Sequence, residues 1–111
     1  MIVALVDDLF FSSKISETAR QLGCALKIVT NRDALLHELQ SHPDKLIFDL
    51  NCKSCNSVEL IREIKQSGTR VPMVAFLSHV QADLAKAAQD AGCDRVVARS
   101  CFSTHLPEIL G

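Results

Sequence analysis

The segment Ile2-Val3-Ala4-Leu5-Val6-Asp7-Asp8 opens the chain with five apolar, partly β-branched residues followed by two carboxylates. Five residues are too few for a helix, so the run reads as a strand buried on both faces with acids at its exit. The same alternation continues outward. Ser12 or Ser13 is placed to cap a helix that turns Ile15, Ala19 and Leu22 to one side, and Gly23 stops it. Residues 25–30 form a second strand. Asn31 caps a second helix with Asp33 in its first turn and Ala34, Leu35 and Leu39 inward, ended by His42-Pro43. Residues 45–50 form a third strand. Asn56 and Glu59 have the spacing of a capping box for a helix carrying Leu60, Ile61 and Ile64, closed by Gly68. Residues 72–77 are a fourth strand with proline at its start. A fourth helix spans 81–91, with Leu84, Ala87, Ala88 and Ala91 on one stripe and Gly92 after it. A fifth strand spans 94–98. A short last helix spans 104–110, its Pro107 tolerable in the first turn.

Units of this kind, about twenty residues each, imply a parallel sheet, because parallel neighbours need crossover helices. A closed barrel needs eight such units. Five predict an open, doubly wound α/β sheet and a single domain over residues 1–111.

Composition narrows the class of function. Apolar residues make up 48 % of the chain, charged residues 23 %, and net charge is −1. That balance suits a packed globular domain and offers no basic stripe for nucleic acid or a membrane surface. Asp7 and Asp8 cut the first apolar run short, and no run approaches the ~20 residues of a bilayer span, so no leader is expected and a cytoplasmic location is. Of the five cysteines, Cys24 and Cys93 read as small buried hydrophobes, and an oxidised framework is not expected.

In an open α/β sheet, chemistry gathers beyond the carboxyl ends of the strands. Asp7, Asp8, Asp49, Leu77, Ser78 and Arg99 fall at those ends. Helix capping would explain Asp8. Asp49 is different, because it follows Leu46-Ile47-Phe48 inside an apolar strand, where a carboxylate is costly unless paired or metal-bound. Three carboxylates together repel one another, and a hard divalent ion would relieve them.

These segments, in this order, resemble the receiver domain of two-component response regulators. Val6-Asp7-Asp8 is similar to the family's acidic pair, Pro43-Asp44-Lys45-Leu46-Ile47-Phe48-Asp49 to its third-strand segment, Asn56-Ser57-Val58-Glu59-Leu60 to the start of its third helix, and Ala91-Gly92-Cys93-Asp94 to the turn before its fifth strand. The resemblance implies a flavodoxin-like fold with strand order 2-1-3-4-5. It implies that Asp49 accepts a phosphoryl group from a histidine kinase or small phosphodonor, with Mg²⁺ held by Asp7, Asp8, Asp49 and the carbonyl of Asn51. It implies a stand-alone signalling phosphoprotein, not an enzyme, acting on a downstream protein partner. The expected partner surface lies around the fourth helix, fifth strand and last helix.

Departures from the family pattern cluster at its switch. Leu77 stands where the family has a Thr or Ser, and Ser78, one residue on, is expected to face the other side of the strand. Arg99 replaces the family lysine, Ser100 the following proline, and Val96 the aromatic switch residue. Such a receiver is atypical, and a degenerate interaction module independent of phosphorylation is the alternative.

Other motifs are weaker. Cys52-Lys53-Ser54-Cys55 has redox spacing, so a thiol switch is a second alternative, whereas zinc would need two further ligands. The histidines at 37, 42, 79 and 105 show no ligand spacing, and Ser78-His79 is no nucleophile–base pair. Leu9-Phe10-Phe11 occupies the place of a glycine-rich phosphate loop, which argues against nucleotide folds. Aromatic residues, at 5 %, are too scarce to sandwich a flavin, and Phe10 and Phe11 are expected to pack beneath the neighbouring helix.

Overall fold

The computed structural model describes residues 1–78 and 81–111; His79 lies outside them. The elements follow in the order β1 (Ile2–Leu5), α1 (Leu9–Leu22), β2 (Leu26–Val29), α2 (Arg32–Leu39), β3 (Lys45–Asp49), α3 (Ser57–Gln66), β4 (Met73–Leu77), α4 (Ala82–Ala91), β5 (Arg95–Ala98), α5 (Arg99–Thr104) and α6 (Leu106–Leu110). The strands form one parallel sheet ordered β2-β1-β3-β4-β5. This is the flavodoxin-like arrangement, and it makes β1 and β3 neighbours.

Alternation along each strand sends side chains to two apolar layers. Val3, Leu5, Phe48 and Ala75 pack with Leu35 of α2, Ile61 of α3 and Ala88 of α4. Ile2, Ala4, Ile47 and Phe76 pack with Phe11 and Ile15 of α1 and with Phe102, Leu106 and Ile109 of α5 and α6. Covered faces on both sides are why β1, β3 and β4 are almost wholly apolar.

Several local features differ from what the sequence suggests. Asp8, not Ser12 or Ser13, caps α1: its side chain accepts from Phe11 N–H at 3.2 Å, while the Ser12 hydroxyl donates back to the Leu9 carbonyl. A carboxylate at a strand exit can reach the first free N–H groups of the helix, so the helix starts earlier. Leu22, at the last turn, remains exposed. Phe11 is buried, but Phe10 is 93 % exposed and Leu9 82 %, because neighbouring residues on a helix point about 100° apart. Cys93 is buried and Cys24 only half-buried. Asn56 accepts from Glu59 N–H at 3.1 Å, but the Glu59 carboxylate pairs with Arg62 instead of completing the capping box.

The C-terminal part is two helices, not one over 104–110. Pro107 has no N–H to reach the residue 103 carbonyl, and its ring would meet that carbonyl, so the helix stops at His105 and restarts with Pro107 in the first turn of α6. Arg99 thereby becomes the first residue of a helix that starts directly at the end of β5.

Gly92 closes α4 in the left-handed region, at φ 114°. A Cβ there would also stand 2.6 Å from Cγ of Lys65. Gly92→Ala should destabilise the fold by about 1–2 kcal/mol from backbone strain, measured as a lower urea midpoint. Gly23→Ala, with open space around it, isolates the backbone share of that loss.

Candidate functional site

The carboxyl edge of the sheet opens into a cleft of about 380 Å³ lined by Asp7, Asp8, Asp49, Asn51, Lys53, Ser78 and Arg99. Asp7 and Asp8 follow β1, Asp49 ends β3, and β1 and β3 are adjacent. The topology alone brings the three acids together.

Each acid has a different environment. Asp49 is only 3 % exposed, and no salt bridge among the described residues involves it. Its Oδ1 accepts from Asn51 N–H at 2.8 Å, and the Ser57 hydroxyl donates to its carbonyl at 2.8 Å. Burial pushes its carboxyl above the usual aspartate range; Asp7 and Asp8 add to that, while the Asn51 N–H and Arg99 oppose it. Asp7 reaches into the β3–α3 loop, its Oδ2 accepting from the N–H groups of Lys53 (2.9 Å) and Ser54 (3.2 Å). Asp8 carries the α1 cap on Oδ1 and Arg99 on Oδ2, with Arg99 Nη2 at 2.8 Å. The Phe11 N–H and then Arg99 hold its carboxyl below the usual range.

Asn51 joins two loops. Its Nδ2 donates to Gln81 Oε1 at 2.9 Å, and its Oδ1 accepts from Ser78 N–H at 2.7 Å. Ser78 is therefore drawn into the cleft, contrary to the strand alternation. The reason is that β4 ends at Leu77, so alternation no longer governs the next residue. Leu77 is buried on the opposite side, and with Val96 it lines a separate apolar groove of about 140 Å³ beside Ala82 and Ala85 of α4.

Ser78, placed at the strand end by the sequence but expected to face away, lines the cleft, and so does Lys53, which carried no sequence signal. For Ser78 the clue was its place next to the strand end. Lys53 sits in a loop whose path no periodicity reveals.

As to a metal, the three carboxylates around one cleft are the donor type that suits a hard divalent cation. Among the described residues, however, no three acids, imidazoles or thiols close into a group that could hold an ion. Asp7 is turned to the loop, and Asp8 is paired with Arg99.

Cys52 and Cys55 are both reduced, and the Cys52 sulfur lies 3.1 Å from the Ser54 hydroxyl. Burial, with Cys52 beside it, pushes the Cys55 thiol up to about 11. Cys55 therefore stays protonated near neutral pH, whereas thiol exchange needs the thiolate.

A response regulator receiver domain profile matches residues 3–110. The chain belongs to the response regulator receiver domain family. Receiver domains are signalling modules of two-component systems, working with histidine kinases and downstream effectors. The fold is shared with solved receivers. A response regulator from Hahella chejuensis is 22 % identical with TM-score 0.85, covering 98 % of this chain and 90 % of that one. The Mn(2+)-bound form of response regulator Rcp1 is 19 % identical with TM-score 0.82, covering 97 % and 89 %. The phosphorylated cyanobacterial phytochrome response regulator RcpA is 19 % identical with TM-score 0.82, covering 98 % and 86 %. Among curated proteins nothing matches. No described helix is long and apolar enough to cross a membrane.

Proposed function

We propose that this receiver domain accepts a phosphoryl group on Asp49, with Mg²⁺ held by Asp7, Asp8, Asp49 and the Asn51 carbonyl. The observation that carries the reading is the state of Asp49: a buried carboxylate, free of ion pairs among the described residues, in a cleft shared with two further acids and a guanidinium. Such a group is costly to keep as structure alone, and it is disposed to react with something that relieves its charge.

In this reading the Asp49 oxygen not held by the Asn51 N–H attacks phosphorus. The new bond is P–O. The bond that breaks joins phosphorus to an imidazole nitrogen of the kinase, or to the leaving group of a small phosphodonor, which departs with the electron pair. The metal, when bound, neutralises charge on the transferring oxygens. Arg99 presents a planar fork suited to a phosphoryl group, as the family lysine presents a point charge. Ser78 lines the same cleft.

The two solved relatives described above as Mn(2+)-bound and phosphorylated support this chemistry by likeness of fold. Leu9 and Phe10, exposed in the first turn of α1 next to Asp8, supply an apolar contact for the protein that delivers the phosphoryl group. Output runs through partner proteins at α4, β5 and α6. Leu77 supplies no hydroxyl and Val96 no ring, so the coupling of Asp49 to that face is weak, which makes this an atypical receiver.

Incubation with Mg²⁺ and a small phosphodonor, followed by intact-mass measurement, tests the reading. The expected result is one added phosphoryl group per chain, absent without Mg²⁺. No adduct under any condition would leave a phosphorylation-independent interaction module.

A further inference from the structure

Both carboxylate oxygens of Asp8 already accept a hydrogen bond. Oδ1 takes the Phe11 N–H at 3.2 Å, and Oδ2 takes Arg99 Nη2 at 2.8 Å. The guanidinium that holds Oδ2 is itself well anchored. Its Cζ lies 4.4 Å from the centre of the Phe11 ring and 5.9 Å from that of Phe76. Phe102, fully buried three residues further along α5, packs against both rings, with centroids 5.7 Å and 4.5 Å away. Arg99 is therefore fixed by its helix and by ring stacking, and only its head points to the acids.

The contact also has a flaw. Nε of Arg99 is buried with no hydrogen-bond partner among the described residues. The head is held over Asp8 by one charged hydrogen bond and ring contact, without the paired geometry that makes arginine–carboxylate bonds hard to break.

Mg²⁺ coordinates oxygen at about 2.0–2.1 Å and demands near-octahedral freedom around itself. An ion on Asp8 Oδ2 would press against the guanidinium already there, both sterically and as a like charge. We infer that Arg99 is an internal counter-ion occupying the place of a divalent cation at Asp8, so that the cation binds this corner only by displacing it. A lysine, with a flexible stem and no planar head to stack, would leave the place readily.

The inference rests on the metal reading above, and the experiment separates the two. The wild-type chain, Arg99→Met, Arg99→Lys and Asp49→Asn are titrated with Mn²⁺ by electron paramagnetic resonance, with Mg²⁺ as competitor, after circular dichroism confirms folding. Arg99→Met should bind at least about tenfold tighter than wild type, equivalent to about 1.4 kcal/mol. Arg99→Lys should also tighten binding, which loss of charge cannot explain. In wild type, the Arg99 Nε–Hε resonance should move during the Mg²⁺ titration with the same midpoint as binding; that reading does not depend on any variant folding. Equal or weaker affinity in Arg99→Met, wild-type affinity in Arg99→Lys, or an unmoved Arg99 resonance would overturn the counter-ion while leaving the metal site standing. Absence of binding in all proteins would overturn both.

Discussion

Asp49→Asn melts at a higher temperature than wild type at pH 7 and takes up no phosphoryl group. Its two effects have one cause. Burial raises the Asp49 carboxyl above its unfolded value, so the native state holds that proton more tightly than the unfolded chain does. The resulting stability is fully present below the ordinary aspartate value of about 4 and is lost as pH rises through the raised one. At pH 7 the ionised group is a burden, and an amide of the same shape removes it while its oxygen still accepts the Asn51 N–H. A domain of this size shifts by roughly 4–8 °C per kcal/mol, so differential scanning calorimetry resolves even a small gain. The gain should fade as pH falls through the raised native value and be gone by about 4, where wild type is neutral in both states. A lower melting temperature at pH 7 would mean that the charged form is welcome where it sits. That would remove the argument for a reactive carboxylate, whatever the mass measurement shows.

Phe102→Ala should cost about 3–5 kcal/mol, against a total of about 5–15 kcal/mol for a domain of this kind. The ring is fully buried and sits between Phe76, at 4.5 Å, and Phe11, at 5.7 Å, so its loss opens a cavity beneath α5 that three helices would have to collapse into. Phe102→Leu keeps most of the volume and should lose less than about 1.5 kcal/mol. Urea unfolding followed by circular dichroism gives both values. A loss below about 1 kcal/mol for the alanine variant would show that α5 does not depend on this cluster. Arg99, whose head stacks on the same rings, would then lack its support.

How much of this was legible in the sequence differs from element to element. The strands were readable because short apolar runs bounded by Asp, Gly and Pro have few alternatives. Asn31 and Asn56 mark their helices by a local reach of three residues. The start of α5 carried no such mark: Ala98 offers no side-chain cap, and residues 99–104 are too few to show a period. Pro107 suggested where a helix could begin, but not that another ended just before it.

The site divides in the same way. By itself the amino-acid order determined the sequence of strands and helices, and it put Asp7, Asp8 and Asp49 at strand exits on one edge of the sheet, since chain direction and strand length are local properties. Tertiary structure alone decided the long-range partners, the loop amides for Asp7 and Arg99 for Asp8, whereas the Phe11 N–H on Asp8 and the Asn51 N–H on Asp49 are local contacts. The Asp8–Arg99 contact joins residues 91 positions apart. Its 2.8 Å distance depends on how α1, α5 and three phenyl rings pack together, and no pattern along the chain contains that information.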